Sequence, residues 1–550
     1  MKKWKISAEY DSSKDVISQL LEARGIKEPA VIDEFINTPQ LSYYAEKLEP
    51  DLKKALMSAR SLIQNAIKKN IPITVHGDYD ADGICATAIL YNVLKKEMHY
   101  DNSFYYIPSR FENGYGLSKS SIDELGENLK DSGVDTSKGV LLITVDSGIT
   151  ANAETNYAKQ LGYTVIITDH HQKPSILPDA DCIVWSDKMV GSGISWFLSK
   201  VIGSKDKQSI SFAAVATVTD LQPLLGINRA IVKKGLEVIN KNPPLGLKKL
   251  MDVAGRTGEI SAYELGWVIG PRINASGRLV RATEALKLFI EEDSSILDTI
   301  VKQLNETNVI RQDKTLQMFE LASIPDPGDL PKVIFSVSTE YHEGIIGLVA
   351  AKLVQRYYRP SIVISLRDGL GKGSVRSIPG IDIIARLRKL EHLFENVGGH
   401  PMAAGFTINQ ANIEKLQKEL KSLLDAELTE NDFDRMLNVD LLLPANYIGV
   451  DLVDQLDKLK PFGLGNEEPV FATYSMGVVS CYTVGQNKQH LLLKLFEDGH
   501  YYKAIFFGEG TLVDSIGLGT KVDIAYTLKK NEYEGKVSVD MLVKDLIIKE

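Results

Sequence analysis

The chain has 550 residues, of which 44% are apolar and 25% are charged, and its formal net charge is −9. This length exceeds what one hydrophobic core usually serves, and the acidic balance does not by itself indicate a nucleic-acid binder. We find no apolar run that could span a bilayer and no signal segment, and Cys85, Cys182 and Cys481 are too far apart for a CxxC site or a disulfide framework. We therefore expect a multidomain cytoplasmic protein that does not contact membranes.

The first third of the chain predicts a parallel α/β domain. Residues 1–50 have no clear period and form an N-terminal segment of undetermined role, either a cap on the sheet or an arm that docks a partner. Asp51 resembles a helix N-cap, followed by apolar residues at helical spacing. Three short apolar runs separated by helical patterns then predict βαβ units within residues 51–281, and these runs are Ile71–Val75, Val140–Val145 and Thr164–Thr168.

The remainder predicts three further parts. Residues 282–331 form a charged helical linker with Leu297, Ile300, Val301 and Leu304 on one face, and residues 332–424 form a second α/β domain. Residues 425–550 combine an acidic linker with a small β-barrel of the oligonucleotide-binding type. Its expected strands are His490–Phe496, Tyr502–Phe507, Val522–Leu528 and Val537–Val543.

Charge is segregated along the sequence. Lys352–Lys389 holds nine basic and two acidic residues, whereas Asp425–Asp457 holds nine acidic residues and one arginine. Either run is equally compatible with a solvated face. The basic run permits a nucleic-acid-binding groove on an acidic protein.

Acidic residues and histidines follow each predicted strand of the first domain. The first strand leads into His76, Asp78, Asp80 and Asp82, the second into Asp146, and the third into Asp169, His170 and His171. Asp220 follows the stretch FAAVATVTD, which fits a helix or a strand. A lone DxD or His-His pair is usually a turn or a solvated edge, but the carboxyl ends of neighbouring parallel strands converge on one crevice.

That crevice would gather at least five carboxylates with two or three imidazoles. So many like charges cannot share a dry site unless cations neutralise them. Mixed carboxylate and imidazole ligands suit Mn²⁺ or Mg²⁺, and paired ions are the usual arrangement for phosphoester hydrolysis. The pattern therefore predicts a site for two divalent metal ions.

These motifs resemble those of the DHH phosphoesterase superfamily, named for the triplet at Asp169–His171. Within it, the chain is similar to the RecJ-type exonucleases. The similarity extends over GPRINASGR (270–278), HEGIIGLVAAKL (342–353), GSVRSIPGIDI (373–383), GGHPMAAGF (398–406) and LKPFGLGNEEPVF (459–471).

The resemblance implies a metal site of Asp80, Asp82, Asp146, His170 and Asp220, with Asp146 shared by both ions. His76 and Asp78 are further candidate ligands of the first ion, and the sequence does not decide between them. The resemblance places His171 on the scissile phosphate. Asp169 would orient a neighbouring histidine rather than bind metal.

The resemblance also implies digestion of single-stranded DNA from its 5′ end to mononucleotides, in DNA repair and recombination. Arg110, Arg278, Ser374, Arg376 and His400 would then bind the terminal phosphate, although Arg110 and Arg278 also fit an interdomain ion pair.

In the barrel, Tyr501, Tyr502, Phe506 and Phe507 are available for base stacking, and alternation would bury about half of them. We expect a monomer whose protein partners are a helicase and a single-strand-binding protein. The alternatives are a phosphatase of short oligonucleotides or other small phosphoesters, and a scaffold without activity. The polarity of digestion rests on the resemblance alone. The preference between DNA and RNA and the preference between Mn²⁺ and Mg²⁺ stay open.

Overall fold

The computed structural model describes residues 2–109, 116–324, 330–533 and 535–549. It divides into two compact units. The first contains Met1–Ile273, Ala282–Ile300 and Met436–Glu550, and the second contains Asn274–Arg281 and Val301–Arg435.

The first unit begins with a short strand and three helices, which are β1 (Lys3–Ile6), α1 (Val16–Ala23), α2 (Pro29–Ile36) and α3 (Leu41–Lys47). The apolar side chains Ile17, Leu20 and Leu21 of α1 belong to the same buried cluster as the C-terminal barrel. Residues 16–35 of the N-terminal segment are therefore part of the barrel core, whereas Ala45 and Leu48 near its end pack against the core of the parallel sheet.

The parallel sheet of the first unit has the order β3-β2-β4-β5-β6. Its strands are β2 (Ile73–His76), β3 (Ser103–Tyr106), β4 (Val140–Val145), β5 (Tyr163–Asp169) and β6 (Cys182–Trp185). All six residues of β4 are buried, because helices cover both faces of the sheet. The three central strands confirm the prediction of a parallel α/β domain, and the sequence reading missed the two edge strands.

Helices surround this sheet and continue beyond it. Those up to β6 are α4 (Pro50–Lys69), α5 (Ala81–Asn92), α6 (Lys119–Asp131) and α7 (Asn152–Gln160). Those that follow are α8 (Gly191–Ile202), α9 (Ile210–Thr219), α10 (Gly226–Lys241), α11 (Leu245–Val253), α12 (Ala262–Glu264), α13 (Gly270–Leu279) and α14 (Thr283–Ile290). Single π-helical turns occupy Val93–Glu97 and Leu265–Ile269. The N-cap of α4 is Glu49, not Asp51, because Pro50 occupies the first helical turn, where its missing N–H costs nothing.

The long helix α15 (Ser294–Ala322) fulfils the prediction of a helical segment, and Leu297, Ile300, Val301 and Leu304 are all buried. The second unit then forms a five-stranded mixed sheet of order β10-β11-β9-β8-β7. Its elements are β7 (Ile334–Ser338), α16 (Ile346–Tyr357), β8 (Ser361–Arg367), β9 (Leu370–Arg376), α17 (Ile383–Arg388), β10 (Phe394–His400), β11 (Ala403–Asn409) and α18 (Ile413–Glu427).

The C-terminal part of the first unit is a five-stranded barrel. Its strands are β14 (Phe471–Val484), β15 (His490–Glu497), β16 (His500–Phe506), β17 (Lys521–Tyr533) and β18 (Lys536–Ile548). They are preceded by β12 (Met436–Val439), β13 (Leu441–Leu442) and α19 (Val450–Leu456). Pairing of β14 with β17 closes the barrel, and β12 pairs in parallel with β1. The predicted strands are present, whereas β14 was missed.

Candidate active site

The first strand end forms a tight loop that presents three aspartates. Beyond His76, the chain passes through Asp78 and Asp80 into α5, and Asp80 caps that helix by accepting hydrogen bonds from the N–H groups of Asp82 (3.0 Å) and Gly83 (3.1 Å). A Cβ atom on Gly83 would lie 2.5 Å from the Asp78 backbone nitrogen. The loop therefore closes on α5 only because glycine occupies position 83.

The N-terminal turn of α8 holds the Asp82 carboxylate. The Gly191 N–H donates to Asp82 Oδ2 at 2.7 Å, and the Ser192 N–H donates to Asp82 Oδ1 at 2.8 Å. A helix N-terminus favours an anion, so this turn is suited to hold the Asp82 carboxylate in place. The sequence reading missed Gly191 and Ser192, for which the small-residue run GSG was the available signal.

Asp146 directly follows β4, with a positive φ of 58°, and is buried. Burial, followed by the charges of Asp82, Asp80, Asp78 and Asp220, raises the pKa of Asp146 well above its usual range. Its Oδ1 lies 3.0 Å from His170 Nε2, yet it has no hydrogen-bond partner among the residues that the structure describes. Asp146 Oδ1 and His170 Nε2 lie close together without a hydrogen bond between them, so they are suited to bind the same cation.

The histidines of the third strand end have opposite electrostatic states. Burial lowers the pKa of His170, so its imidazole is neutral and can bind metal. Burial opposes protonation of His171 too, but the hydrogen bond from its Nδ1 to Asp169 Oδ1 (2.7 Å) and the Asp169 charge raise the pKa of His171 to about 9. As expected, Asp169 orients a histidine; it also accepts from the N–H of Ile149 at 2.8 Å.

Asp220 completes the cluster at the C-terminal end of α9, with about a third of its side chain (34%) exposed and Oδ2 3.9 Å from His170 Nε2. Burial and the charges of Asp82 and Asp80 raise its pKa to about 7. The stretch before Asp220 is thus a helix, the first of the two possibilities that its sequence allowed.

Among the residues that the structure describes, three groups of side chains bring potential ligand atoms within 4.8 Å of one another. They are Asp78 with Asp80 and Asp146, Asp82 with His170 and Asp220, and Asp146 with His170 and His171. Oxygen and imidazole donors suit Mn²⁺ or Mg²⁺, and the raised pKa values show how poorly this site tolerates its own charge without a cation. The residues present therefore fit a divalent metal.

His76 stands apart from these groups within the described part of the chain. Its Nε2 lies 3.2 Å from Ser121 Oγ, its ring stacks on Tyr106, and burial lowers its pKa to about 4. Of the two candidate extra ligands, Asp78 is the one placed beside Asp80 and Asp146. That His76 binds the first metal stays a prediction.

In the second unit, the strand pairing places Ser374, Arg376 and His400 on one sheet. Arg376 and His400 both pair with Ala403 across adjacent strands, and the Arg376 guanidinium donates to Ser374 Oγ at 3.2 Å. Gly405 and Gly398 continue the row of Ser374 on one side, which leaves that end of the row without bulky side chains. Arg278 donates to the Gly344 carbonyl at 3.3 Å, and Arg110 lies outside the described residues.

Two further predictions concern surfaces. Tyr501 and Phe507 are exposed on the barrel, whereas Tyr502 is buried and donates to the Ala445 carbonyl at 2.8 Å. Within the basic run, Arg359 pairs with Glu430, while Arg386 and Lys389 both pair with Glu427. These three cations therefore have carboxylate partners, and the others remain candidates for phosphate contacts.

We expect the metal-free protein to lose stability as pH rises from about 4 to about 7. Burial raises the pKa values of Asp80, Asp146 and Asp220, so in this range these three carboxyls bind more protons in the folded state than in the unfolded state. They outnumber the buried His76 and His170, whose lowered pKa values act in the opposite direction. Divalent metal should remove this loss. Melting temperatures in EDTA and in Mn²⁺, at about pH 5 and about pH 8, measure the effect. A melting temperature in EDTA that does not fall between these pH values would contradict the expectation.

No helix in the described ranges has both the length and the apolar character needed to traverse a bilayer. Three family models match the chain: the DHH family N-terminal domain over residues 72–218, the DHHA1 domain over 330–426, and the RecJ OB domain over 439–545. They confirm the predicted fold class, a parallel-sheet domain, a second α/β domain after a helical segment, and a C-terminal barrel of the OB type.

Curated relatives align over nearly the whole chain. The single-stranded-DNA-specific exonuclease RecJ of Bacillus subtilis is 31% identical over 97% of this chain and 68% of its own length. That of Thermus thermophilus is 32% identical over 91% of this chain and 73% of its own length. The crystal structure of Thermus thermophilus RecJ in complex with Mn²⁺ superposes with a TM-score of 0.83 at 28% identity, covering 100% of this chain and 80% of that one. With its three domains and metal-binding groups in place, the chain belongs to the RecJ family.

Proposed function

We propose that this protein is a cytoplasmic, metal-dependent exonuclease that hydrolyses single-stranded DNA from the 5′ end to 5′-mononucleotides, in DNA repair and recombination. The observation that carries the proposal is the convergence of Asp78, Asp80, Asp82, Asp146, His170 and Asp220 in one cluster. Support comes from relatives named as single-stranded-DNA-specific exonucleases across nearly the full length of the chain.

Two divalent ions, held by these residues with Asp146 common to both, would when bound supply a nucleophile at neutral pH and stabilise charge on the phosphate. The chain's own contribution is to hold the ligands in place. The α8 N-terminus fixes Asp82, and burial keeps His170 neutral. His171, protonated at neutral pH through Asp169, would stabilise the negative charge that develops on the scissile phosphate.

The terminal phosphate would bind Ser374, Arg376 and His400, with Arg110 and Arg278 as further donors. Arginine offers paired N–H groups that match phosphate oxygens, and the neighbouring glycines let a strand approach the backbone. The barrel favours a polymeric substrate, because an oligonucleotide-binding fold has no evident use in a phosphatase of small molecules. Retention of every acidic ligand position argues against an inactive scaffold. A helicase and a single-strand-binding protein are the partners that this activity would require, and we expect a monomer.

An oligonucleotide labelled separately at its 5′ and 3′ ends, incubated with Mn²⁺, tests the proposal. We expect the 5′ label to appear at once as mononucleotide while the 3′-labelled strand shortens through intermediates. Immediate release of the 3′ label would reverse the polarity. If long strands survive while dinucleotides or pyrophosphate are consumed, the substrate class is wrong.

Affinity for single-stranded DNA should fall steeply with salt, by about 0.7 in the log–log slope for each phosphate contacted. Fluorescence anisotropy between about 50 mM and 200 mM salt measures this slope. Lys372→Ala should flatten it, since this lysine lies on β9 beside Ser374 and Arg376. Lys389→Ala is the matched control, because Lys389 is already paired with Glu427. If the affinity of the unchanged protein does not depend on salt, the basic run is a solvated face and does not bind DNA.

A further inference from the structure

The residue after Asp220 adopts a conformation that leucine rarely takes. Helix α9 ends with the Gln222 N–H donating to the Thr217 carbonyl (3.1 Å) and the Leu221 N–H donating to the Val218 carbonyl (3.3 Å). Leu221 lies between them with φ of 55°. Glycine usually occupies this left-handed position of a helix C-terminus, because a Cβ atom there crowds the backbone. Leucine at 221 is therefore strained.

The same side chain is also unusually exposed. Leu221 is 70% exposed. Leu225, four residues later, is 39% exposed, and Leu464, whose backbone is hydrogen-bonded to Leu224, is 50% exposed. We call these three residues the Leu221 patch. A single exposed leucine is ordinary in a protein surface. A leucine that is both strained and exposed, however, does not stabilise the fold through its side chain.

The two loops that carry the patch are fixed to each other. The N–H of the buried Leu224 donates to the Leu464 carbonyl at 2.7 Å. A Cβ atom on Gly465, which has φ of 73°, would lie 3.0 Å from Pro223 Cβ and 3.7 Å from Leu225 Cδ1. The barrel loop thus packs against the loop that begins at Asp220. The patch is built on a rigid base next to a candidate metal ligand.

We propose that the Leu221 patch contacts a nucleobase of the DNA strand whose phosphate lies at the Asp220 cluster. This inference rests on the proposed function, which brings a single strand to that cluster. The patch contributes only apolar side chains, so it suits the face of a base and not a phosphate or a protein acid. Such a contact tolerates every base, because each has a similar face.

The test compares Leu221→Gly with the unchanged full-length protein on two 5′-phosphorylated oligothymidylates, one intact and one with abasic sites at its terminal nucleotides. Relief of backbone strain should raise the melting temperature by about 1–2 °C. KM for the intact strand should rise about tenfold, whereas the abasic strand should be cut equally by both proteins. Leu221→Phe should retain the low KM. Asn70→Gly is the control for the change to glycine, because Asn70 also has a left-handed backbone at the C-terminal end of a helix, α4.

Three results would overturn the inference. One is an unchanged KM of Leu221→Gly for the intact strand, and another is an equal rise for both strands. The third is a clear fall in the melting temperature of Leu221→Gly, which would assign the leucine a structural role. If the unchanged protein cuts neither oligonucleotide, the proposed function fails and this inference fails with it; in the first three cases the proposed function stands.

Discussion

Asp146→Asn will reduce hydrolysis of single-stranded DNA by about 10³-fold or more, since a lost metal ligand removes several kcal/mol of transition-state stabilisation. The same change should raise the melting temperature of the metal-free protein. Burial, and after it the charges of four other carboxylates, raise the pKa of Asp146, and a neutral amide of the same shape removes both of these penalties on a charged side chain. Asparagine also tolerates the left-handed backbone at position 146, so the substitution adds no strain.

Asp368→Asn is the matched control, because Asp368 has φ of 49° but lies at an exposed turn of the second unit. It should change neither activity nor melting temperature. Mn²⁺ should stabilise the unchanged protein more than Asp146→Asn, which differential scanning fluorimetry measures. Near-normal hydrolysis by Asp146→Asn would contradict the assignment of Asp146 as a metal ligand. A lower melting temperature of metal-free Asp146→Asn would show that the charge of Asp146 does not destabilise the folded protein.

Binding of single strands should survive the loss of a metal ligand. We expect Asp82→Ala to abolish cleavage while binding stays largely intact, as measured by anisotropy with a labelled oligonucleotide. This variant should also be less stable than Asp146→Asn, because it leaves the N–H groups of Gly191 and Ser192 without their acceptor. Retained cleavage would contradict the assignment of Asp82.

The clustering of the candidate ligands was predictable because their pattern is local in sequence. Acidic residues directly after buried apolar runs indicate strand ends, and a parallel sheet brings strand ends together. What escaped the sequence reading depends on distant partners. The Asp82 carboxylate is held by a helix more than a hundred residues away, and nothing near Asp82 signals this.

The missed fold elements have the same cause. β1 has no period of its own and forms only by pairing with β12, more than four hundred residues later. The acidic stretch interpreted as a linker contains folded elements, and its Asp440 accepts a hydrogen bond from Arg24 Nε at 2.8 Å. β3 and β6 are only four residues long, too short for periodicity to reveal. Non-local pairing is invisible to any reading of short windows.

The largest loss of stability is expected from Arg229→Met. Arg229 is almost fully buried on α10, and burial lowers its pKa to about 10, so it is still charged at neutral pH. Its Nη1 donates to the Leu459 carbonyl at 3.0 Å, and its Nη2 donates to the Lys460 carbonyl at 2.8 Å. Its Nε donates to the Phe35 carbonyl at 3.0 Å, and the guanidinium lies over the Phe35 ring. One side chain therefore joins the parallel-sheet domain, the N-terminal helices and the barrel loop.

Methionine would keep the volume but leave these carbonyls buried without a donor, at about 1–3 kcal/mol for each. We expect Arg229→Met to lower the free energy of unfolding, measured from the first transition in urea, by at least about 3 kcal/mol. Arg229→Lys should lower it by an intermediate amount, because a single ammonium group cannot donate to all three segments. Arg256→Met, at an exposed position, should leave the transition unchanged. An Arg229→Met protein as stable as the control would mean that the barrel loop and the N-terminal helices hold their places without the arginine. In that case the apolar cluster shared by α1 and the barrel would suffice to fix them.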